Sequence, residues 1–254
     1  MTWKIPANIM SSYVASVEAI NSDEDSFNNF RRNANYGRVV GAVTNLQGRR
    51  DYTVQLFNWI SENYPEIFED IENLKVYDSV GNPYLEEFEF NNSTIKISAS
   101  TLRYLYPALR LREEFTLDTP INVVELGVGY GGMASIMNHL FDISSYQLVD
   151  LPQVETLSHR YLKEVGADKV KEKTEGGVDL FISEYCLSEF DYDKVEYFYN
   201  EYIKNSNNFY IASNYMGISS TQLLPILSRN HVLKVLDVFP ADSHPCNIIY
   251  GVKK

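Results

Sequence analysis

The chain has 254 residues, enough to bury a real core as one large domain or one domain with an appendage. Its 44% hydrophobic and 22% charged content is that of an ordinary globular protein, and a formal net charge of −12 excludes a broadly basic surface for nucleic acid or anionic membrane. Two cysteines, Cys186 and Cys246, make no disulfide framework, and neither a signal-like N-terminus nor a run of about eighteen apolar residues occurs, so a cytoplasmic location and no membrane insertion are expected.

Residues 1 to about 115 read as mostly helical. Apolar periodicity predicts helices over Ser11–Ile20, Phe27–Val43, Asp51–Ile60 and Glu66–Leu74. Gly81-Asn82-Pro83 is a turn signal, and Phe88, Phe90, Ile95 and Ile97 sit in short strands. Ser100–Glu114 is again helical, with Leu102, Leu105, Leu109 and Leu111 on its buried face. From Ile121 strands and helices alternate, the pattern of a parallel sheet. Strands are expected at Ile121–Leu126, Tyr146–Val149, Lys169–Lys173, Val178–Ser183 and Asn208–Ser213. Helices are expected at Gln153–Val165, Lys194–Lys204 and Thr221–Ser228. Val232–Phe239 and Asn247–Val252 close the chain as a hairpin.

The stretch from Ile121 to Asp150 is a strand, a glycine turn, a helix, a second strand and an acid. Gly127, Gly129, Gly131 and Gly132 permit positive φ and let a ligand approach the backbone. The following helix offers unpaired N–H groups, and Asp150 can accept hydrogen bonds from two ribose hydroxyls. Gly127-x-Gly129-x-x-Gly132 satisfies the dinucleotide fingerprint, while Glu125-x-Gly127-x-Gly129-x-Gly131 equally satisfies the first motif of methyltransferases that use S-adenosylmethionine. Three observations favour the methyl donor. The carboxylate of Glu125 repels a pyrophosphate and attracts an ammonium. The unit lies behind a helical region of about 120 residues, and the closing hairpin suits a reversed last strand.

VVELGVGYGG (123–132), LVDLP (148–152) and DLFISEYCLSEF (179–190), with FRRNANY (30–36) and STLRY (100–104), make the chain resemble the bacterial sugar O-methyltransferases. The resemblance implies an α/β, Rossmann-like class I methyltransferase fold: a mostly parallel sheet with a reversed last strand, behind a helical N-terminal region. Residues 1–115 would form a lid and acceptor-binding region, and residues 116–254 the S-adenosylmethionine domain. The acceptor would be a sugar hydroxyl, nucleotide-linked or of a capsule or lipopolysaccharide precursor. Asp150-Leu151-Pro152 also resembles the D-L-P of plant O-methyltransferases. Two departures stand out: Leu187 occupies the position of the plant enzymes' catalytic histidine, and Lys173-Thr174-Glu175-Gly176-Gly177 is a poor substitute for the acidic adenine-contact motif.

Strand carboxyl ends are where ligands bind in such sheets. The expected cofactor contacts are Glu125, Gly127, Gly129, Gly131, Asp150, Leu151, Ser183 and Glu184, with Arg103 for the methionine carboxylate. Glu189, just past the fourth strand, is the first candidate for general base, and His244 in the closing loop the second. The 19 tyrosines and 13 phenylalanines furnish an aromatic core and suit a sugar-stacking cleft, so Tyr130, Tyr185 and Tyr36 are candidate acceptor contacts. Arg31 and Arg32, like Arg49 and Arg50, would grip a phosphate on a nucleotide-linked acceptor. His139, His159 and His231 read as structural, and no metal site is assigned. A homo-oligomer is compatible with the sequence. The rival functions are a nicotinamide-dependent oxidoreductase and a cofactor-binding protein without catalysis.

Overall fold

The computed structural model describes residues 7–34, 36, 47–69, 71–117, 120–167, 169–171, 176–239 and 246–254. Its first half contributes helices α1 (Ala7–Ser22), α2 (Glu24–Asn28), α3 (Gln47–Asn63), α4 (Glu66–Glu69) and α5 (Ile71–Asp78), then a hairpin of β1 (Leu85–Phe90) and β2 (Ser93–Ser98), then α6 (Ala99–Glu114). Side-chain caps fix several starts. Asp23 accepts from the Ser26 N–H at 2.7 Å ahead of α2, and Ser98 accepts from the Thr101 N–H at 3.1 Å ahead of α6.

The second half is β3 (Ile121–Leu126), α7 (Gly132–Leu140), β4 (Ile143–Val149), α8 (Pro152–Glu164), β5 (Val170–Lys171), β6 (Leu180–Glu184), α9 (Cys186–Glu189), α10 (Tyr192–Phe198), β7 (Asn208–Ser213), α11 (Ser220–Leu227), β8 (His231–Asp237) and β9 (Asn247–Lys253). These seven strands form one sheet in the order β5-β4-β3-β6-β7-β9-β8. The pairs from β5 to β7 are parallel, and β9 runs antiparallel to both β7 and β8. Strand order therefore reverses between β3 and β6, where a crevice opens at the carboxyl ends.

Alternate residues of each strand serve opposite faces. Val123, Tyr146, Leu148, Ile182 and Tyr210 join a core that also takes Val17, Leu56, Ile97, Leu102 and Leu109, so it runs unbroken across residue 115. Val124, Leu126, Phe181, Phe209 and Ile249 pack beneath α9, α10 and α11 on the other side. On that face Gln147 and Val149 of β4 are only partly buried, and among the described residues no helix lies between β5 and β6.

Two predicted helices are corrected. The helix expected from Phe27 stops at Asn28 and gives way to a 3-10 turn over Phe30–Arg32, because the Arg31 N–H bonds to the Gly81 carbonyl at 3.0 Å; residues 37–43 lie outside the described residues. The helix expected over Lys194–Lys204 starts at Tyr192 and widens after Phe198 into a π-helical turn, with Lys204 N donating to Tyr199 O at 2.8 Å. Among the described residues no helix is long and apolar enough to cross a membrane.

Candidate functional site

The crevice at the reversal point holds a cavity of about 100 Å³ with walls from both halves of the chain. Glu125, Gly127, Gly129, Asp150, Leu151, Glu184 and Tyr185 come from strand ends and the turns after them, and Glu189 from α9; Met10, Tyr13, Arg103 and Tyr104 come from α1 and α6. A second cavity of about 390 Å³ meets the first at Asp150, Leu151 and Cys186. Its walls are Leu126, Val149, Phe190, Tyr197, Phe198 and Tyr202, with Lys194 at the edge. It lies between the ends of β3 and β4 and the aromatic side chains of α10.

The glycine turn has two distinct steric tasks. Gly127 has φ +82°, and a Cβ there would meet the Cβ of Cys186 at 2.2 Å, so only glycine lets β3 and α9 approach. Gly131, at φ +88°, caps α7 and packs on Leu162 without lining either cavity. Gly132 makes room for the Tyr104 ring, 2.3 Å from where a Cβ would sit, so α7 and α6 lie in close contact.

The carboxylates are held individually. Asp150 accepts from the backbone N–H groups of Leu151, Gly129 and Val128, the first at 2.7 Å, yet burial outweighs these bonds and raises its pKa to about 6. Glu125 is 2% exposed and accepts from the Tyr146 hydroxyl at 2.7 Å. Burial holds its carboxyl far above the ordinary range, and the charges of Glu184 and Asp150 add to the shift. Glu184 is raised by burial as well, opposed by Arg103, whose guanidinium lies 3.5 Å away. Burial also raises Glu189, against a hydrogen bond from the Asn214 amide at 3.0 Å. Four carboxyl groups and one guanidinium thus line the first cavity among the described residues, and a positively charged ligand would favour the ionised forms that burial opposes.

Tyr185 reaches this cavity from a left-handed backbone, φ +67°, a conformation that costs a non-glycine residue roughly 1–3 kcal/mol. Its N–H bonds to the Ala212 carbonyl at 2.8 Å and its carbonyl accepts from Ser188, which holds the turn.

Besides Gly131, five expected contacts lie elsewhere. Ser183 is fully buried and spends its hydroxyl accepting from the Leu187 N–H at 3.0 Å. Tyr130 is sealed among Phe30, Tyr104 and Tyr161, and Tyr36 is buried behind Tyr13, on which it stacks at 5.8 Å. The phosphate-gripping role of Arg31 is corrected: its guanidinium is 1% exposed and donates to Tyr77 O, Asp78, Ser98 and Ser100. Arg32 donates to Asn82 O at 2.7 Å and lies over the Tyr84 ring, away from the cavity. His244 lies outside the described residues, as do the side chains of Arg49 and Arg50. His231 bonds to Ser206 O at 2.9 Å within the core.

Sequence reasoning missed Met10, Tyr13, Tyr104 and the aromatic wall of α10, and it placed Asn214 at a strand end without giving it a role. Tyr104 had a signal in its adjacency to Arg103. Met10 and Tyr13 had none, because only the tertiary fold brings α1 to the strand ends. Among the described residues no group of three His, Cys, Asp or Glu is arranged to hold a metal ion.

No family model and no curated protein matches the chain. Among solved structures, the chain is similar to magnesium protoporphyrin IX methyltransferase from Synechocystis PCC 6803 with bound SAM, at a TM-score of 0.50 and 11% identity over 61% of this chain and 79% of that one. It is also similar to a SAM-dependent methyltransferase from Aquifex aeolicus (TM-score 0.47, 13% identity, 59% and 92% covered). A third similar structure is the mitomycin 7-O-methyltransferase MmcR (TM-score 0.45, 15% identity, 61% and 57% covered). The first of these, together with the strand order, gives the fold: α/β, of the class I methyltransferase type.

Proposed function

We propose that the protein is an S-adenosylmethionine-dependent O-methyltransferase acting on a sugar hydroxyl. One observation carries the reading: the crevice has an acidic lobe and an aromatic lobe that meet at Asp150. The donor has the same three parts, a cationic amino-acid end, a ribose and an apolar base. Asp150 would hold the ribose hydroxyls, Glu125 and Glu184 would face the ammonium and sulfonium charges, and Arg103 the carboxylate. Leu151, Phe190, Tyr197 and Phe198 would enclose the adenine, with Lys194 at the edge able to donate to a ring nitrogen. A dinucleotide fits poorly, because its pyrophosphate would meet four carboxylates.

Bound there, the cofactor supplies a methyl group already activated by its sulfonium. The chain's own residues have two further tasks. Tyr13, Tyr104 and Tyr185 offer aromatic surface against which a sugar ring stacks and is oriented. Glu189, held above the ordinary carboxylate range by burial, takes the proton from the acceptor hydroxyl. Arg31 and Arg32 are both engaged elsewhere, so neither is available to grip a phosphate of a nucleotide-linked acceptor.

Calorimetry with S-adenosylhomocysteine and NAD side by side tests the cofactor. Binding of the first alone is expected, and binding of NAD alone overturns the proposal. Glu189→Gln should then lower kcat on a sugar acceptor by roughly 10²–10⁴-fold while cofactor affinity is unchanged.

A further inference from the structure

We infer that Asn214, at the end of β7, is the positioning residue for Glu189: its side-chain amide fixes one carboxylate oxygen and leaves the other for the acceptor. The inference rests on Glu189 being the base. The orientation of the amide follows from its neighbours. The Met216 backbone N–H, which can only donate, lies 3.2 Å from Asn214 Oδ1, and the Ser188 hydroxyl lies 2.9 Å from the same atom. That side of the amide must therefore be the carbonyl oxygen, and Nδ2 is the atom facing Glu189 Oε1 at 3.0 Å. The Asn214 N–H in turn bonds to the Ser188 hydroxyl at 3.1 Å, so α9 and the end of β7 are tied twice.

The next turn presses against the same residue. Gly217 N donates to the Ser188 carbonyl at 2.7 Å, and a Cβ on Gly217 would lie 2.2 Å from the Glu189 backbone carbonyl. Residues 214–217 thus grip the backbone of Glu189 while Asn214 grips its side chain. A neutral donor suits this place. It stabilises the ionised form that accepts a proton, and brings no cation to compete with the donor's charges. The titratable groups sharing the cavity with Glu189 are Cys186 and Tyr185 beside it, Glu184 at β6, Asp150 after β4, Glu125 in β3, Arg103 and Tyr104 on α6 and Tyr13 on α1.

The test needs no acceptor. In protein labelled with ¹³C at the glutamate carboxyl and saturated with S-adenosylhomocysteine, the Glu189 signal is assigned by its loss in Glu189→Gln and followed against pH. Asn214→Asp keeps the oxygen that receives the Met216 N–H and replaces only the donor, so the loop keeps its bonds. It should raise the apparent midpoint of Glu189 by about one unit or more, a tenfold change in proton affinity, through loss of the donor and like-charge repulsion. Asn214→Ala should raise it less. Cofactor affinity should stay within about twofold, since Asn214 touches none of the groups assigned to the donor. An unmoved Glu189 midpoint in both variants overturns the role of Asn214. Should Glu189→Gln turn over a sugar acceptor at the unaltered rate, the base assignment fails, and the inference resting on it fails too.

Discussion

Asp150 illustrates how one side chain sets a pH limit for the molecule. Three backbone N–H groups favour its ionised form, yet the loss of water around it leaves the pKa at about 6. If Asp150 holds the ribose as proposed, protonation would remove the acceptor that its two hydroxyls require. Affinity for S-adenosylhomocysteine should therefore fall as pH drops through about 6, with little change above pH 7. Asp150→Asn should weaken binding by about 3 kcal/mol at pH 7.5, roughly 100-fold, and flatten the dependence between pH 5 and 7. Calorimetry across that range checks both. This residue was legible in the sequence because a strand pattern ending on an acid twenty-odd residues beyond a glycine turn constrains where that acid points. Asn214 was not, since its meaning depends on a partner 25 positions earlier.

Elements were legible where local patterning and tertiary packing agree. The strand read at Asn208–Ser213 matches β7 residue for residue, because five of its six side chains are buried and polar residues bound it. The Phe27–Val43 helix failed where the two disagree. Arg31 is drawn out of helical geometry by Asp78, Ser98 and Ser100, which bind α5 and the start of α6 to the 3-10 turn. An FRR motif reads as a phosphate site until those partners are known. Arg31→Ala should cost about 3–5 kcal/mol in urea unfolding, because it strands the Asp78 carboxylate, 6% exposed, without its counter-charge. Cofactor affinity of the folded fraction should be unchanged, whereas a phosphate-gripping arginine would leave stability nearly intact.

Across the whole molecule, the crevice is built at the expense of stability. Glu125, Asp150, Glu184 and Glu189 all bind protons more tightly in the folded chain than unfolded. Each such group destabilises the fold once ionised. The penalty is absent below the unfolded carboxylate range near pH 4 and grows as pH rises through the folded values, about 6 for Asp150. Asp23, Glu87 and Glu196 are shifted the opposite way, but they act below about pH 4 and lie at the surface; buried His231, held below its ordinary value, opposes the trend up to about pH 6.5, one group against four. The ligand-free protein should therefore melt at a lower temperature at pH 7.5 than at pH 5.5. Saturating S-adenosylhomocysteine should shrink or reverse that difference. Scanning calorimetry with and without ligand checks the sign.

Helix α1 brings Met10 and Tyr13 to the crevice, and Asn21 near its end donates to the Gln153 carbonyl of α8 at 2.8 Å. A molecule seated between α1 and Asp150 touches the N-terminal and C-terminal halves of the chain at once. Thermodynamic reciprocity then applies: whatever factor the docked helix adds to the guest's affinity, the guest adds to the helix's docking. Occupancy would be reported at residues 7–22 as protection from proteases, and shortening that end would loosen the guest to the same degree.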